Sequence, residues 1–136
     1  MKIKLDEFAK MPTKAHPTDA GFDIYSRDTK IVPAYGSALF DTGVHIQLPE
    51  NTVGMLKSKS GLNIKYGITS EGVIDVGYTG SIIVKLYNIT NKDYIVREGD
   101  KISQLCIMPI VNVSLEQVQE LEKTSRGNNG FGSSGK

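Results

Sequence analysis

GVIDVGYTG at 72–80, followed directly by SIIVKLY at 81–87, is the stretch on which the fold turns. Val73 and Ile74 are strand formers, Gly77 to Gly80 reads as a turn, and 81–87 resumes as a strand. This segment predicts a β-hairpin with Asp75 and Tyr78 near its tip. Working outward, MKIKL at 1–5 and GVHIQL at 43–48 alternate apolar and polar residues, the second closed by Pro49-Glu50-Asn51. VGML at 53–56 and ISQLCIMPIV at 102–111 are further strand candidates. Short strands at short spacing, punctuated by Gly and Pro, predict an all-β sandwich or barrel. Helix signals are few. SGLNIK at 60–65 can make one short turn, and SLEQVQELEK at 114–123 offers Ser114 and Gln117 as a capping box.

The chain has 136 residues and a formal charge of +1. That length favours one domain, here expected over 1–136 with a core over 1–124 and a Gly-rich arm over 125–136. The near-neutral charge argues against a nucleic-acid-binding face, which needs clustered Lys and Arg. Cys106 is the sole cysteine, so no intrachain disulfide and no Cys-rich zinc site is expected, and its apolar surroundings suggest an inert buried thiol. Neither a signal-peptide stretch nor an apolar run near ~20 residues is present, so no membrane partner and a cytoplasmic location are expected.

The arm, RGNNGFGSSGK at 126–136, has several readings. Gly130, Gly132 and Gly135 satisfy G-x-G-x-x-G, but that fingerprint needs a following helix, and the sequence closes at Lys136 without one, so the match is expected to be spurious. Composition alone would make the arm a solvated tail. The alternative is a nucleotide-binding flap. Glycines let backbone N–H groups approach phosphate oxygens, Arg126 can fork onto a phosphate, and Phe131 can stack on a planar base. Asp75 likewise has two readings: a carboxylate bonding its own turn, or a general base orienting water.

Five segments in order resemble the motifs of the homotrimeric dUTP pyrophosphatase (dUTPase) family, of phage or bacterial type. They are DAGFDIYS at 19–26, KSKSGL at 57–62, GVIDVGYTG at 72–80, REGDKISQLCIMP at 97–109 and RGNNGFGSSG at 126–135. The resemblance implies a distorted jelly-roll β-barrel with one short helix and a flexible C-terminal flap. It implies hydrolysis of dUTP to dUMP and pyrophosphate, assisted by Mg²⁺, keeping uracil out of DNA and supplying dUMP for thymidylate synthesis. Sites would lie at the interfaces of a homotrimer, each closed by a neighbour's arm.

Residue by residue, Asp75 would orient the water that attacks the α-phosphorus. Tyr78 would pack on the deoxyribose and exclude a 2′-hydroxyl. Thr69, Gly72, Val73, Ile74, Asp75 and Ile83 would surround base and sugar, and Phe131 would cover the uracil. Lys59, Ser60, Gly61, Gln104, Arg126, Gly132, Ser133 and Ser134 would hold phosphates. Asp23 would sit near the metal, acting through water. Its other reading is a turn-capping carboxylate. Where the family usually has Pro-Arg-Ser, this chain has Ser58-Lys59-Ser60, which keeps a charge but loses the planar fork. Lys59 could equally be a solvated surface lysine. His16 and His45 carry no assigned role. Two rival readings are a dUTPase that also acts as a nucleotide-controlled regulator of some other protein, and the related dCTP deaminase, which generally has a glutamate where this chain has Asp75.

Overall fold

The computed structural model describes residues 1–130. Ten strands and one helix follow in order: β1 (Lys2–Leu5), β2 (Gly21–Tyr25), β3 (Lys30–Val32), β4 (Ser37–Asp41), β5 (Val44–Gln47), β6 (Thr52–Lys57), α1 (Ser60–Tyr66), β7 (Ile68–Ile74), β8 (Ile83–Asn88), β9 (Tyr94–Val96) and β10 (Lys101–Pro109). A six-stranded sheet runs β2-β10-β6-β7-β8-β4, and two ribbons, β1-β5 and β3-β9, flank it. All pairings are antiparallel. The sheet curls into the jelly-roll-like barrel that the strand spacing and the resemblance lead one to expect. None of the described helices is long and apolar enough to cross a membrane.

Strand parity builds the core. On β8, Val84 and Leu86 point inward while Ile83 and Tyr87 face out, and β7 buries Ile68, Ser70 and Ile74 in the same way. Ile24, Val32, Phe40, Val44, Ile46, Leu48, Leu56, Ile82, Val96, Ile102 and Leu105 complete the buried core. Ser70 and Ser103 are buried with it, and each hydroxyl is satisfied: their Oγ atoms lie 2.9 Å apart, and the Ser103 Oγ donates to the Lys57 carbonyl.

Three local features differ from the sequence expectation. Residues 114–123 form no helix. An isolated ten-residue helix is marginal in water, and with Leu115 and Leu121 almost wholly exposed no packed face is there to stabilise one. The hairpin is not tight: β7 ends at Ile74 and β8 starts at Ile83, so residues 75–82 form a wide connector. Cys106 is half-buried on β10 rather than deep in the core. The short helix at 60–65 is present as α1, ended by Gly67 at φ +62°, a conformation glycine adopts without steric cost.

Candidate active site

β7 changes partner along its length. Its first residues pair with β8, from Ile68 opposite Asn88 to Ser70 opposite Leu86, and the ladder goes no further. From Glu71 to Ile74 its other edge pairs with β6, while β8 from Ile83 onward pairs with β4. The sheet therefore parts between β7 and β8, and among the described residues the β8-facing edge of 71–74 has no strand partner there. Backbone N–H and C=O groups on such an edge are free to meet a planar hydrogen-bonding ligand. The gap is a cleft of about 220 Å³ lined by Leu56, Gly72, Val73, Ile74, Asp75, Tyr78, Ile82 and Ile83.

Asp75 and Tyr78 stand at the mouth of this cleft on the connector, both exposed. The Tyr78 amide donates to the Asp75 carbonyl at 3.2 Å, closing a turn, and the Tyr78 hydroxyl donates to the Ser81 carbonyl at 2.9 Å. The far end of the connector is tied down. Thr42 gives both its amide and its Oγ1 to the Ile82 carbonyl, and the Ile82 amide donates to the Val44 carbonyl at 2.8 Å. Ser81 bonds Asp41, whose carboxylate also takes the Arg27 guanidinium at 2.7 Å. The Asp41 carboxyl lies below its ordinary range because of the Ser81 hydroxyl first, with burial opposing and the Gly43 amide and Arg27 adding to the drop.

A second cluster gathers where β2, β10 and the start of α1 meet. Asp23 is opposite Gln104, and Gln104 is in turn opposite Lys57, so the three share one face. A regular strand would turn Lys101, three residues from Gln104, to the opposite face. The register shift between Lys101 and Ser103 is a β-bulge that returns it to the Asp23 side. Lys101 Nζ reaches Asp23 at 2.7 Å, and Lys59 Nζ bonds the other Asp23 oxygen. Burial works to raise the Asp23 carboxyl, but hydrogen bonds from Lys101 and Lys59 and their charges outweigh it, leaving it below the ordinary value. Lys101 is raised in turn, mainly by its bond to Asp23. Asp23 is thus neither a turn cap nor a free carboxylate, and Lys59 is not a solvated lysine. The Gln104 amide nitrogen donates to the Ser58 carbonyl at 3.1 Å. Ser60 and Gly61 form the first turn of α1, where backbone N–H groups have no acceptor within the helix, and Lys59 supplies no side-chain cap. Among the described residues no three His, Cys, Asp or Glu side chains gather as a metal cage.

Of the sequence-expected site residues, the cleft brings together Gly72, Val73, Ile74, Asp75, Tyr78 and Ile83. Thr69 is outside its lining, paired with Tyr87 in the intact part of the ladder. Lys59, Ser60, Gly61, Gln104 and Asp23 form the separate polar cluster. Arg126 is exposed and bonds locally, its Nε donating to the Asn129 carbonyl at 3.2 Å. Phe131, Gly132, Ser133 and Ser134 lie outside the described residues. Sequence reasoning missed Leu56 and Ile82 in the cleft wall and Lys101 on Asp23. The lysine was visible in REGDK, but its direction depends on the bulge.

The dUTPase family model matches residues 7–135. The chain belongs to the dUTPase family. The chain is 46% identical to the deoxyuridine 5′-triphosphate nucleotidohydrolase of Clostridium tetani, over 100% of this chain and 97% of that protein. It is 43% identical to the protein of that name from Candida albicans, over 93% and 82% of the two chains. Among solved structures, the Staphylococcus bacteriophage 80alpha dUTPase with dUPNHPP superposes on this chain at a TM-score of 0.91 and 33% identity, covering 98% of this chain and 97% of that one. A mutant dUTPase from phage phi11 of S. aureus, described for the coordination of a structural Mg(II) ion, matches at 0.82 and 32% identity, over 90% and 98% of the chains.

Proposed function

We propose that this protein hydrolyses dUTP to dUMP and pyrophosphate. One observation carries the reading: the parted β7–β8 ladder holds an unpaired backbone edge, a carboxylate and a tyrosine around one cleft. The edge at 72–74 offers the alternating donors and acceptors that a uracil ring can pair with, and Ile74 and Ile83 line the cleft beside it, where a base's C5 methyl would have to fit. Tyr78, held by the Ser81 carbonyl, packs against the deoxyribose where a ribose 2′-hydroxyl would collide. Asp75 accepts a proton from a water aligned on the α-phosphorus. The new P–O bond forms as the bond to the bridging oxygen breaks, pyrophosphate departs, and dUMP remains. Positioned base catalysis of this kind contributes about 10²–10⁴ in rate.

The triphosphate is held, across a subunit interface, by the Lys59, Ser60, Gly61 and Gln104 cluster, whose first-turn amides and Lys59 ammonium favour anions. The donor set suits a Mg²⁺ carried by the phosphates rather than a protein cage, with Asp23 reaching it only through water because both its oxygens are shared with lysines. Such an ion supplies charge neutralisation on the triphosphate. Residues 110–124, which precede the arm, expose Val111, Val113, Leu115 and Leu121 without secondary structure, as expected of a segment that docks on another copy. A homotrimer in which Arg126 and Phe131 of one subunit complete the site of another accounts for that exposure.

The test is pyrophosphate release from a panel of nucleotides with Mg²⁺. dUTP is cleaved while dTTP and UTP are nearly untouched. Comparable rates on all three would sink the assignment.

A further inference from the structure

Asp75 to Gly80 carries both groups that the proposed chemistry uses, yet its own anchoring is sparse. Among the described residues, besides the Tyr78 hydroxyl on the adjoining Ser81 carbonyl, one hydrogen bond reaches this stretch, and it comes from a distant strand: His45 Nδ1 lies 2.9 Å from the Thr79 carbonyl. The other ring nitrogen, Nε2, lies 3.0 Å from Asp6 Oδ2. Thr79 presents a carbonyl and Asp6 a carboxylate, so both neighbours only accept. A neutral imidazole has one N–H and can serve one of them, whereas the imidazolium serves both. Parity explains the reach. On β5, Val44 and Ile46 are buried in the core, so His45 between them points the other way, toward β1 and the connector.

We propose that His45, in its charged form, is a positioning residue that clamps the Thr79 carbonyl and thereby sets Tyr78 against the sugar. The part about the sugar rests on the functional reading above. The clamp has a fixed base. The Asp6 amide donates to the Gly43 carbonyl at 2.9 Å, and the Gly43 amide donates to Asp41 and to Ser81 at 3.0 Å each. Asp6, Gly43 and the connector's far end are thus joined by hydrogen bonds, and His45 extends that network to Thr79.

The charges facing the ring set its titration. Asp6 favours the imidazolium. Lys4, opposite His45 across the β1–β5 ladder and 3.5 Å from Asp6, opposes it. Lys2 lines the same hollow, and the Thr79 side contributes no charge. The balance lies with the Asp6 bond first and the Thr79 carbonyl second, which hold His45 above its ordinary value while Asp6 falls below its own. A raised histidine keeps its proton below that value and loses it as pH rises through the elevated one. The clamp is therefore closed below that elevated value and opens as pH rises through it.

The experiment combines ring ¹H–¹⁵N NMR with steady-state kinetics on dUTP from pH 6 to 9, for wild type, H45A, H45Q and D6N. His45 is expected to show both nitrogens protonated at pH 6.5, with its midpoint above 6.5 and lowered by D6N. KM for wild type rises about 3- to 10-fold across that midpoint, the range a lost hydrogen bond gives, while kcat stays level. H45A has the higher KM at every pH, which separates the effect from ionisation of the substrate itself. H45Q, with one non-titrating donor, lies between them without the inflection. A neutral His45 ring at pH 6 overturns the proposal, as does an H45A variant whose KM tracks wild type within twofold. Should wild type fail to cleave dUTP, the functional reading falls by itself. The clamp is then judged on the amide resonances of Tyr78 to Gly80, which must titrate with the ring.

Discussion

Asp23→Asn removes one charge from a site built around it. The Asp23 side chain is 9% exposed, that of Lys59 is 27% and that of Lys101 is 43%. The amide keeps an oxygen for one lysine but loses the attraction to both, and leaves two ammonium groups facing each other with no anion between them. Lys101 lies open to solvent and is screened, so the reckoning uses Asp23 and the half-buried Lys59. A charge-assisted hydrogen bond to a buried carboxylate is worth about 1.5–3 kcal/mol, and stripping one partner from a fully buried pair costs about 3–5 kcal/mol. The partial exposure of Lys59 puts the loss at about 2–3 kcal/mol. For a domain of this size that is a Tm decrease of about 6–12 °C at fixed protein concentration.

The pH dependence makes this specific. Asp23 titrates below its ordinary value in the folded protein. Its contribution is complete above the ordinary carboxylate range and fades as pH falls through the depressed folded value. Differential scanning calorimetry of wild type and Asp23→Asn at pH 7 and at successively more acid pH should show a gap that narrows with acidity. A gap under about 0.5 kcal/mol at neutral pH, the size of an ordinary surface substitution, would refute the idea that the lysines hold Asp23. So would a gap that does not change with pH.

Asp75→Asn should still bind dUTP in a calorimetric titration and lose about 10²–10⁴ in turnover, since the amide cannot accept the proton; a fully active variant would remove Asp75 from its role. Deleting 126–136 should leave a cooperatively folded protein by circular dichroism with crippled hydrolysis, and unchanged kinetics would exclude the flap. Gly21→Ala should destabilise by about 1–3 kcal/mol in urea unfolding, because the added carbon would meet Cys106 Sγ at 2.9 Å and Gln104 Cβ at 3.2 Å on the neighbouring strand. Pairing it with Cys106→Ala, which empties that space, should recover part of the loss.

Much of the architecture was legible because it is local. Alternation in MKIKL and GVHIQL places β1 and β5, and the apolar run after residue 81 places β8 within two residues. The same reasoning fails at 114–123, where a capping box and helical spacing are present but the partner surface that would bury Leu115 and Leu121 is absent from the chain's own fold. Site residues divide along the same line. Gly72 to Asp75, Tyr78 and Ile83 are near one another in sequence across one hairpin, and they converge. Thr69 belongs to that hairpin too, yet lies below the point where the ladder opens. His45 drew no attention because an isolated histidine in an alternating strand looks like any other polar position; its partners Asp6 and Thr79 are 39 and 34 residues away.

The sequence by itself determined the strands β1, β5, β6, β8 and β10, the end of β7, the turn that follows it, and which chemical groups the five motifs bring, while β2, β3, β4 and β9 were not read from it. Side-chain parity and turn chemistry act over a few residues and need no knowledge of the rest. Only the tertiary structure decided that β7 would leave β8 for β6 at Glu71, that a bulge would aim Lys101 at Asp23, and that His45 would meet Thr79. Each depends on competition between strands far apart in the chain for the same backbone edge, and on registers settled by the packed core as a whole.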